Sequence, residues 1–308
     1  MILLRPEIKK TIQPLRALGK PLPFLAAYSL WTLLFKLLVL TLVTYFAIPS
    51  SIGHSNHLQD LSETFGAYEL TFMSLGSLLF IILLKLLNPF STDEVFTPAR
   101  FEKHFVPGFV QGALLASMLI LVFVLSGLYR YLGFFVQFES PLLALAGVFI
   151  RIAALGVLAF CEEFIFRYKL LNHADEEFDP RVGVLFTALA YCGIKMIQFD
   201  LGIMHLLTLF LISISLSMRT TSERDFNRGA GFWAAILIVF HPLLSLPILG
   251  NEFSGIILFK PQPMLGDLAR LLTGGAGGPL SSFGFQLLIV LDIIRTYANR
   301  TPLSNKHH

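Results

Sequence analysis

Long apolar runs separated by short polar connections dominate the chain. An α-helix that crosses the hydrocarbon core of a bilayer needs about 20 mostly apolar residues. Eight runs approach or reach this length, at 24–48, 67–87, 109–128, 142–160, 182–197, 202–218, 231–249 and 281–297. The pattern therefore predicts an all-α fold, a polytopic transmembrane helical bundle of about eight spans.

Composition agrees with a membrane protein. Of the 308 residues, 55% are hydrophobic and 14% are charged, and the mean hydropathy is +0.72. Soluble domains are typically about 45–50% apolar and about 25% charged. The formal net charge of +3 is too small to indicate a nucleic-acid partner, and the two cysteines match no metal or disulfide spacing.

The distribution of Lys and Arg predicts the orientation. Basic residues collect on the cytoplasmic side of a membrane protein. Residues 1–23 contain five of them, whereas the connection 49–66 contains none. We expect a multi-pass protein of the cell membrane with both termini in the cytoplasm. Its parts would be a basic cytoplasmic tail at 1–23, a single transmembrane bundle at 24–300 and a C-terminal tail at 301–308.

The stretch CEEFIFRYKL, residues 161–170, places charged residues at the end of the fourth apolar run. An ionisable group at membrane depth is costly and is by default a functional hypothesis. Glu163 and Arg167 are i and i+4 on a helix, which favours an ion pair with the acid N-terminal to the base. Glu162 is turned about 100° away and has no obvious local partner.

Two later runs contain further candidate site residues. In GFWAAILIVFHPLLSL, His241 and Ser245 are four residues apart and share a helix face. The stretch LFTALAYCGIKM contains Tyr191. Four other intramembrane ionisable residues have no role that the sequence indicates: Lys36, Lys195, His205 and Asp292.

The stretch EEFIFR together with the pair His241 and Ser245 resembles motifs of the CPBP family of intramembrane glutamic proteases, which includes the CAAX prenyl endopeptidases and many bacterial relatives. The resemblance covers roughly residues 140–290, the expected protease-like core. It implies a glutamate-dependent endopeptidase that hydrolyses a peptide bond of a membrane-associated protein or a prenylated or otherwise lipid-modified peptide. Membrane lipid would be the other partner, with no cofactor.

The second motif of that family departs from the pattern in this chain. Its histidine aligns with Tyr191, and a phenol cannot take up a proton at neutral pH as an imidazole does. On the hydrolytic hypothesis Glu162 activates water, Glu163 and Arg167 support it, Tyr191 orients the water, and His241 and Ser245 stabilise the oxyanion.

Three alternatives to this hydrolytic hypothesis stay open. The Tyr191 substitution favours a catalytically impaired relative that acts as a membrane binding or scaffold protein. A transporter would need paired broken helices, which the sequence does not show. A zinc site would need about three firm protein ligands, and only Glu162 and His241 are available, so we expect no metal.

The hydrolytic hypothesis carries one structural expectation. Glu162, Tyr191, His241 and Ser245 should meet around a common cavity at the cytoplasmic half of the bundle. Arg151 lies eleven residues before Glu162, about three helical turns, and should face inward on the same side of its helix.

Overall fold

The structure is a computed structural model that describes residues 21–47, 57–87, 97–134, 141–177, 179–223, 225–252, 255–262 and 266–298. The predicted C-terminal tail and residues 1–20 of the predicted N-terminal tail lie outside these residues. Nearly all described residues are helical, which confirms the all-α helical bundle. The chain is membrane-embedded, because six of its described helices are long and apolar enough to cross a bilayer.

The first six helices of the described residues form the spans. They are α1 Pro21–Ala47, α2 His57–Leu87, α3 Pro98–Leu125, α4 from Pro141–Glu163 on through Asn172–Glu177, α5 Pro180–Gln198 and α6 Ile203–Glu223. The second helix begins ten residues before the predicted run, but its apolar span begins only at Tyr68. Two of the spans contain π-helical segments, Phe101–Phe105 in α3 and Phe164–Leu171 in α4.

The predicted count of eight spans is wrong, because two apolar runs form helices that are too short. Helix α7 is α-helical over Asn227–Ile238, 12 residues, and continues as the π-helical segment Val239–Leu243. The last helix that the structure describes, α9, is Phe283–Ala298, with 16 residues. Both fall below the roughly 20 residues that a bilayer requires. Apolar composition alone does not distinguish a span from a helix buried inside the bundle.

Helix α7 is such a buried helix, and glycines let it approach α3. All its α-helical residues are buried except Arg228. A Cβ atom on Gly231 would lie 2.1 Å from the carbonyl oxygen of Phe105, and one on Gly108 would lie 2.1 Å from that of Arg228. Close backbone approach at small residues is typical of helix packing in membranes. The contact fixes α7 in the centre of the bundle.

The described part of the chain also contains two short β-strands, which the sequence did not predict. Strand β1, Tyr129–Phe134, pairs antiparallel with β2, Ile257–Pro261, with a bulge between Tyr131 and Gly133. The Tyr129 hydroxyl donates to the carbonyl oxygen of Thr273 in helix α8, Asp267–Thr273, at 3.2 Å. This ribbon therefore ties the connection after α3 to the region between α7 and α9.

One end of the bundle is rich in arginine. Helices α3, α5 and α7 begin there, and α4, α6 and α9 end there, since residues from all six elements line one cavity. We call it the basic end. Its arginines are Arg100, Arg181, Arg219, Arg228 and Arg295. The rule that basic residues face the cytoplasm makes this end the predicted cytoplasmic one.

Candidate functional site

Glu162 and Glu163 lie where α4 changes from α-helical to π-helical geometry. The α-helical part ends at Glu163 and the π-helical part is Phe164–Leu171. Both glutamates are buried, with 2% and 0% of their surface exposed. A π-helical turn is uncommon and often occurs at functional sites. Two adjacent buried carboxylates need partners, because an unpaired charge in an apolar interior is very costly.

Glu162 receives three hydrogen bonds from two other helices. The Tyr191 hydroxyl of α5 donates to Glu162 Oε2 at 2.8 Å, and Trp233 Nε1 of α7 donates to the same oxygen at 2.9 Å. The Lys195 ammonium group forms an ion pair with Glu162 Oε1. The carboxylate therefore has one cation and two neutral donors as its partners.

The two donors on α5 are one helical turn apart. Tyr191 is fully buried, and Lys195 is 2% exposed. The Lys195 ammonium nitrogen also lies 5.1 Å from the centroid of the Phe199 ring and 5.6 Å from that of Tyr191. Aromatic faces attract cations, so the lysine is enclosed between a carboxylate and two rings.

The neighbouring glutamate forms the predicted ion pair. Arg167 Nη1 lies 2.9 Å from Glu163 Oε1, and both side chains are completely buried. Arg167 Nη2 also donates to Ser213 Oγ of α6 at 2.9 Å. A Cβ atom on Gly229 would lie 2.6 Å from Glu163 Oε2, so α7 leaves room for this carboxylate only because position 229 is glycine. We call Glu162, Glu163, Arg167, Tyr191 and Lys195, with Trp233, the glutamate site.

His241 is buried in the π-helical segment that ends α7. Its Nδ1 lies 3.2 Å from the carbonyl oxygen of Leu246. Pro242, which has no N–H, follows it inside the same segment. The position of the His241 ring is thus fixed by the backbone of the segment that follows α7.

Ser245 points toward the strand β2. Its Oγ donates to the carbonyl oxygen of Ile257 at 2.9 Å and accepts from the Gly255 N–H at 2.8 Å. Its backbone has φ of 55°, a left-handed conformation that is uncommon for a residue with a side chain. Since a hydroxyl has one proton, Ser245 has none left for an oxyanion in this conformation.

The structure brings some of the predicted site residues into contact with one another, whereas others form hydrogen bonds elsewhere in the chain. Glu162 contacts Tyr191, and Glu163 contacts Arg167, whereas the described bonds of Ser245 lead to residues 255–257. The prediction that Arg151 faces inward is confirmed, since it is 1% exposed and its guanidinium lies 5.5 Å from the Tyr68 ring centroid.

Sequence reasoning missed Lys195 and Trp233 as partners of Glu162. A signal for Lys195 was present, because residues 191 and 195 share one helix face. Any carboxylate that reaches the Tyr191 hydroxyl is also within reach of a lysine one turn further on. Trp233 had no comparable signal, since its contact joins residues 71 positions apart.

A second polar region is a cavity of about 1160 Å³ at the basic end. Helices α3, α4, α5, α6, α7 and α9 line it, and none of the six predicted site residues does. A smaller cavity of about 390 Å³ is lined by Lys36 and by residues 196–201. We call the larger one the basic-end cavity.

Metal binding has little support in the described part of the chain. No group of three or more His, Cys, Asp or Glu side chains there could hold one ion. The Glu162 carboxylate, which a metal would need, is occupied by Lys195, Tyr191 and Trp233.

Comparison with protein-family models finds no match, and comparisons with curated proteins and with solved structures find none either. The resemblance to intramembrane glutamic proteases therefore rests on the short motifs.

Proposed function

We propose that the chain is a membrane-embedded binding protein whose glutamate site is structural and does not hydrolyse peptides. The observation that carries this proposal is the set of three donors on Glu162, one of which is a buried lysine. The partner would be a membrane lipid or a lipid-modified protein in the cell membrane, and both termini would face the cytoplasm.

The proposal follows from what a general base must do. It has to lie within hydrogen-bond reach of a water molecule and accept its proton. Both oxygens of Glu162 already accept from protein donors, one of them an ammonium group, so a water molecule would have to compete with these donors. Glu162 is only 2% exposed, and it does not line either of the two cavities described above. Its environment suits a structural ion pair better than a general base.

The second candidate function is the glutamate-dependent intramembrane endopeptidase. One observation favours it, namely that the residue aligned with the family's histidine, Tyr191, contacts Glu162 at 2.8 Å. Hydrolysis would then require Lys195 to leave the carboxylate so that water can enter. The two candidates differ in what they require of the ion pair, which makes them separable by mutation.

The test uses a variant that removes the base and keeps the charge balance. Glu162→Gln combined with Lys195→Met replaces a buried ion pair by a neutral pair, a change that is often close to neutral for stability. Cells with the wild-type protein, the double variant or no protein are compared at matched expression. New N-terminal peptides in the membrane fraction are measured by mass spectrometry, together with the phenotype of the cells that lack the protein.

The binding function predicts that the double variant behaves as wild type in both measurements. The endopeptidase predicts that it behaves as cells without the protein, with the same N-terminal peptides missing. Tyr191→His provides a further discrimination, since a group that titrates near neutrality should increase cleavage by a hydrolase and should add no cleavage products to a binding protein.

A further inference from the structure

The basic-end cavity has both a polar wall and an apolar wall. Leu114 and Met118 of α3 and Leu288 of α9 line it on one side. Leu114 and Met118 are also 66% and 63% exposed on the outer surface of the bundle. The apolar lining on α3 is therefore continuous with the outer surface of that helix, along which an acyl chain can lie.

Positive charge is concentrated on the wall made by α6 and α9. Arg219 and Arg295 line this wall, with Asp292 between them. Arg219 donates to Gln111 Oε1 at 2.8 Å and forms an ion pair with Asp292. Arg295 lies in the last turn of α9 and is exposed. Along α9 the lining changes from Leu288 to charged residues toward the basic end, as an amphiphile requires.

Negative charge is concentrated where α4 and α6 end and α7 begins. The carboxylates of Asp175, Glu223 and Asp225 line the cavity there, with Arg228 paired to Glu223. His104 lies 3.5 Å from Glu223 Oε2 and 3.9 Å from Asp225 Oδ2, and Asn227 donates to the other oxygen of Asp225. An ammonium group would join these donors on carboxylates that still outnumber the arginine beside them.

With Arg100 on α3, the whole cavity is lined by four arginines and four acidic residues. A headgroup with only positive or only negative charge would meet as many repelling as attracting side chains. A zwitterionic headgroup, which carries both charges, matches the two walls.

The aromatic side chains of the lining already have partners. The Arg219 guanidinium lies 4.2 Å from the Phe232 ring centroid, and the Lys169 ammonium nitrogen lies 5.3 Å from that of Tyr168. Phe226 packs against Tyr168 with their centroids 5.7 Å apart. A quaternary ammonium group binds best to open aromatic faces. Carboxylates instead favour a primary ammonium group, which donates hydrogen bonds.

We propose that the basic-end cavity binds a glycerophospholipid whose zwitterionic headgroup carries a primary ammonium group. Its phosphate lies against Arg295 and Arg219, its ammonium group against Asp225 and Glu223, and its acyl chains along the apolar wall. This inference rests on the proposed binding function and names the ligand of that function.

The test measures lipid binding to the purified, delipidated full-length protein by native mass spectrometry. Palmitoyl-oleoyl phosphatidylethanolamine, phosphatidylcholine and phosphatidylglycerol are titrated separately. We expect phosphatidylethanolamine to bind roughly 10-fold more tightly than the other two, because only it satisfies both walls with charge-assisted hydrogen bonds. Arg295→Gln should reduce that affinity about 10-fold, while Arg181→Gln, at an exposed arginine of the same end outside the cavity, should leave it unchanged.

A pair of tryptophan substitutions tests the location. Leu288→Trp fills the cavity and should lower phosphatidylethanolamine binding by roughly 10-fold or more. Leu287→Trp, at the exposed neighbour on the outer face of α9, should not change it. If Leu288→Trp fails to fold, the exposed residue Arg295 still provides the test.

Three results would overturn the inference: tightest binding of phosphatidylglycerol, equal binding of phosphatidylcholine and phosphatidylethanolamine, or no difference between the variants and their controls. The measurement is independent of peptide cleavage. A hydrolase that also binds phosphatidylethanolamine in the cavity would refute the proposed function alone, and a non-hydrolase without this binding would refute the ligand alone.

Discussion

The glutamate site and the basic-end cavity contain the same kinds of residues in opposite environments. In the glutamate site, Glu163 and Arg167 pair with no exposed side-chain surface. At the cavity, Arg228 and Glu223 pair with 28% and 25% of their side chains exposed. A ligand can reach the second pair and cannot reach the first. Charged residues inside a membrane protein therefore indicate function only after their accessibility is known.

The energetic consequences of the two environments also differ. Removing one partner of a buried ion pair leaves a charge without compensation, and the loss is about 3–5 kcal/mol of unfolding free energy. Exposed pairs are screened and typically contribute about 0.2–1 kcal/mol. Substitutions in the glutamate site should therefore lower the free energy of unfolding more than matched substitutions at the basic-end cavity. Substitutions at the cavity should instead have the larger effect on ligand binding.

The largest expected effect is at Arg167. Arg167→Gln leaves Glu163 buried without a cation and removes the bond to Ser213, so the free energy of unfolding should fall by about 3–5 kcal/mol. Arg228→Gln, at the accessible pair, should lower it by less than about 1 kcal/mol. Chemical unfolding of the full chain in detergent measures both. Equal losses would remove the distinction between the two regions.

A smaller effect is expected at Tyr191. Tyr191→Phe keeps the ring but removes a hydrogen bond to an ionised group, which should lower the unfolding free energy by about 1.5–3 kcal/mol. Tyr168→Phe, whose ring lines the cavity, should change it by no more than about 0.5 kcal/mol. The same unfolding assay applies. A Tyr191→Phe variant as stable as wild type would mean that Glu162 does not depend on this donor.

The smallest effect concerns the packing around Glu163. Gly229→Ala places a Cβ atom 2.6 Å from Glu163 Oε2, and overpacking of this kind costs about 1–3 kcal/mol. Gly156→Ala in α4 meets no atom within 4 Å and should be neutral or stabilising by about 0.4–1 kcal/mol. Melting temperatures of the two variants should therefore move in opposite directions. If both rise, α7 has more room beside the glutamate site than the structure shows.

Local features of the fold were predictable from sequence, and features that join distant helices were not. The apolar runs gave the six spans, and the i, i+4 spacing gave the Glu163–Arg167 pair. The span count was wrong because α7 is as apolar as a span but short, and it is buried by glycine contacts with α3.

The candidate site shows the same division. The pairing of Glu162 with Lys195 joins residues 33 positions apart, and that of Arg219 with Asp292 joins residues 73 positions apart. The two strands of the β-ribbon are similarly distant in sequence. No periodicity within one helix reports such contacts, so the sequence identified Glu162 as unusual without identifying its partner.

The central claim is that Glu162 is a structural partner of Lys195. A double-mutant cycle on unfolding free energy tests it most directly, with Glu162→Gln, Lys195→Met and the combined variant in detergent. We predict that each single substitution destabilises by about 3 kcal/mol or more and that the combined variant recovers most of this loss. Additive losses would contradict the account, as would a Glu162→Gln variant more stable than wild type, since relief of strain on mutation is typical of a catalytic residue.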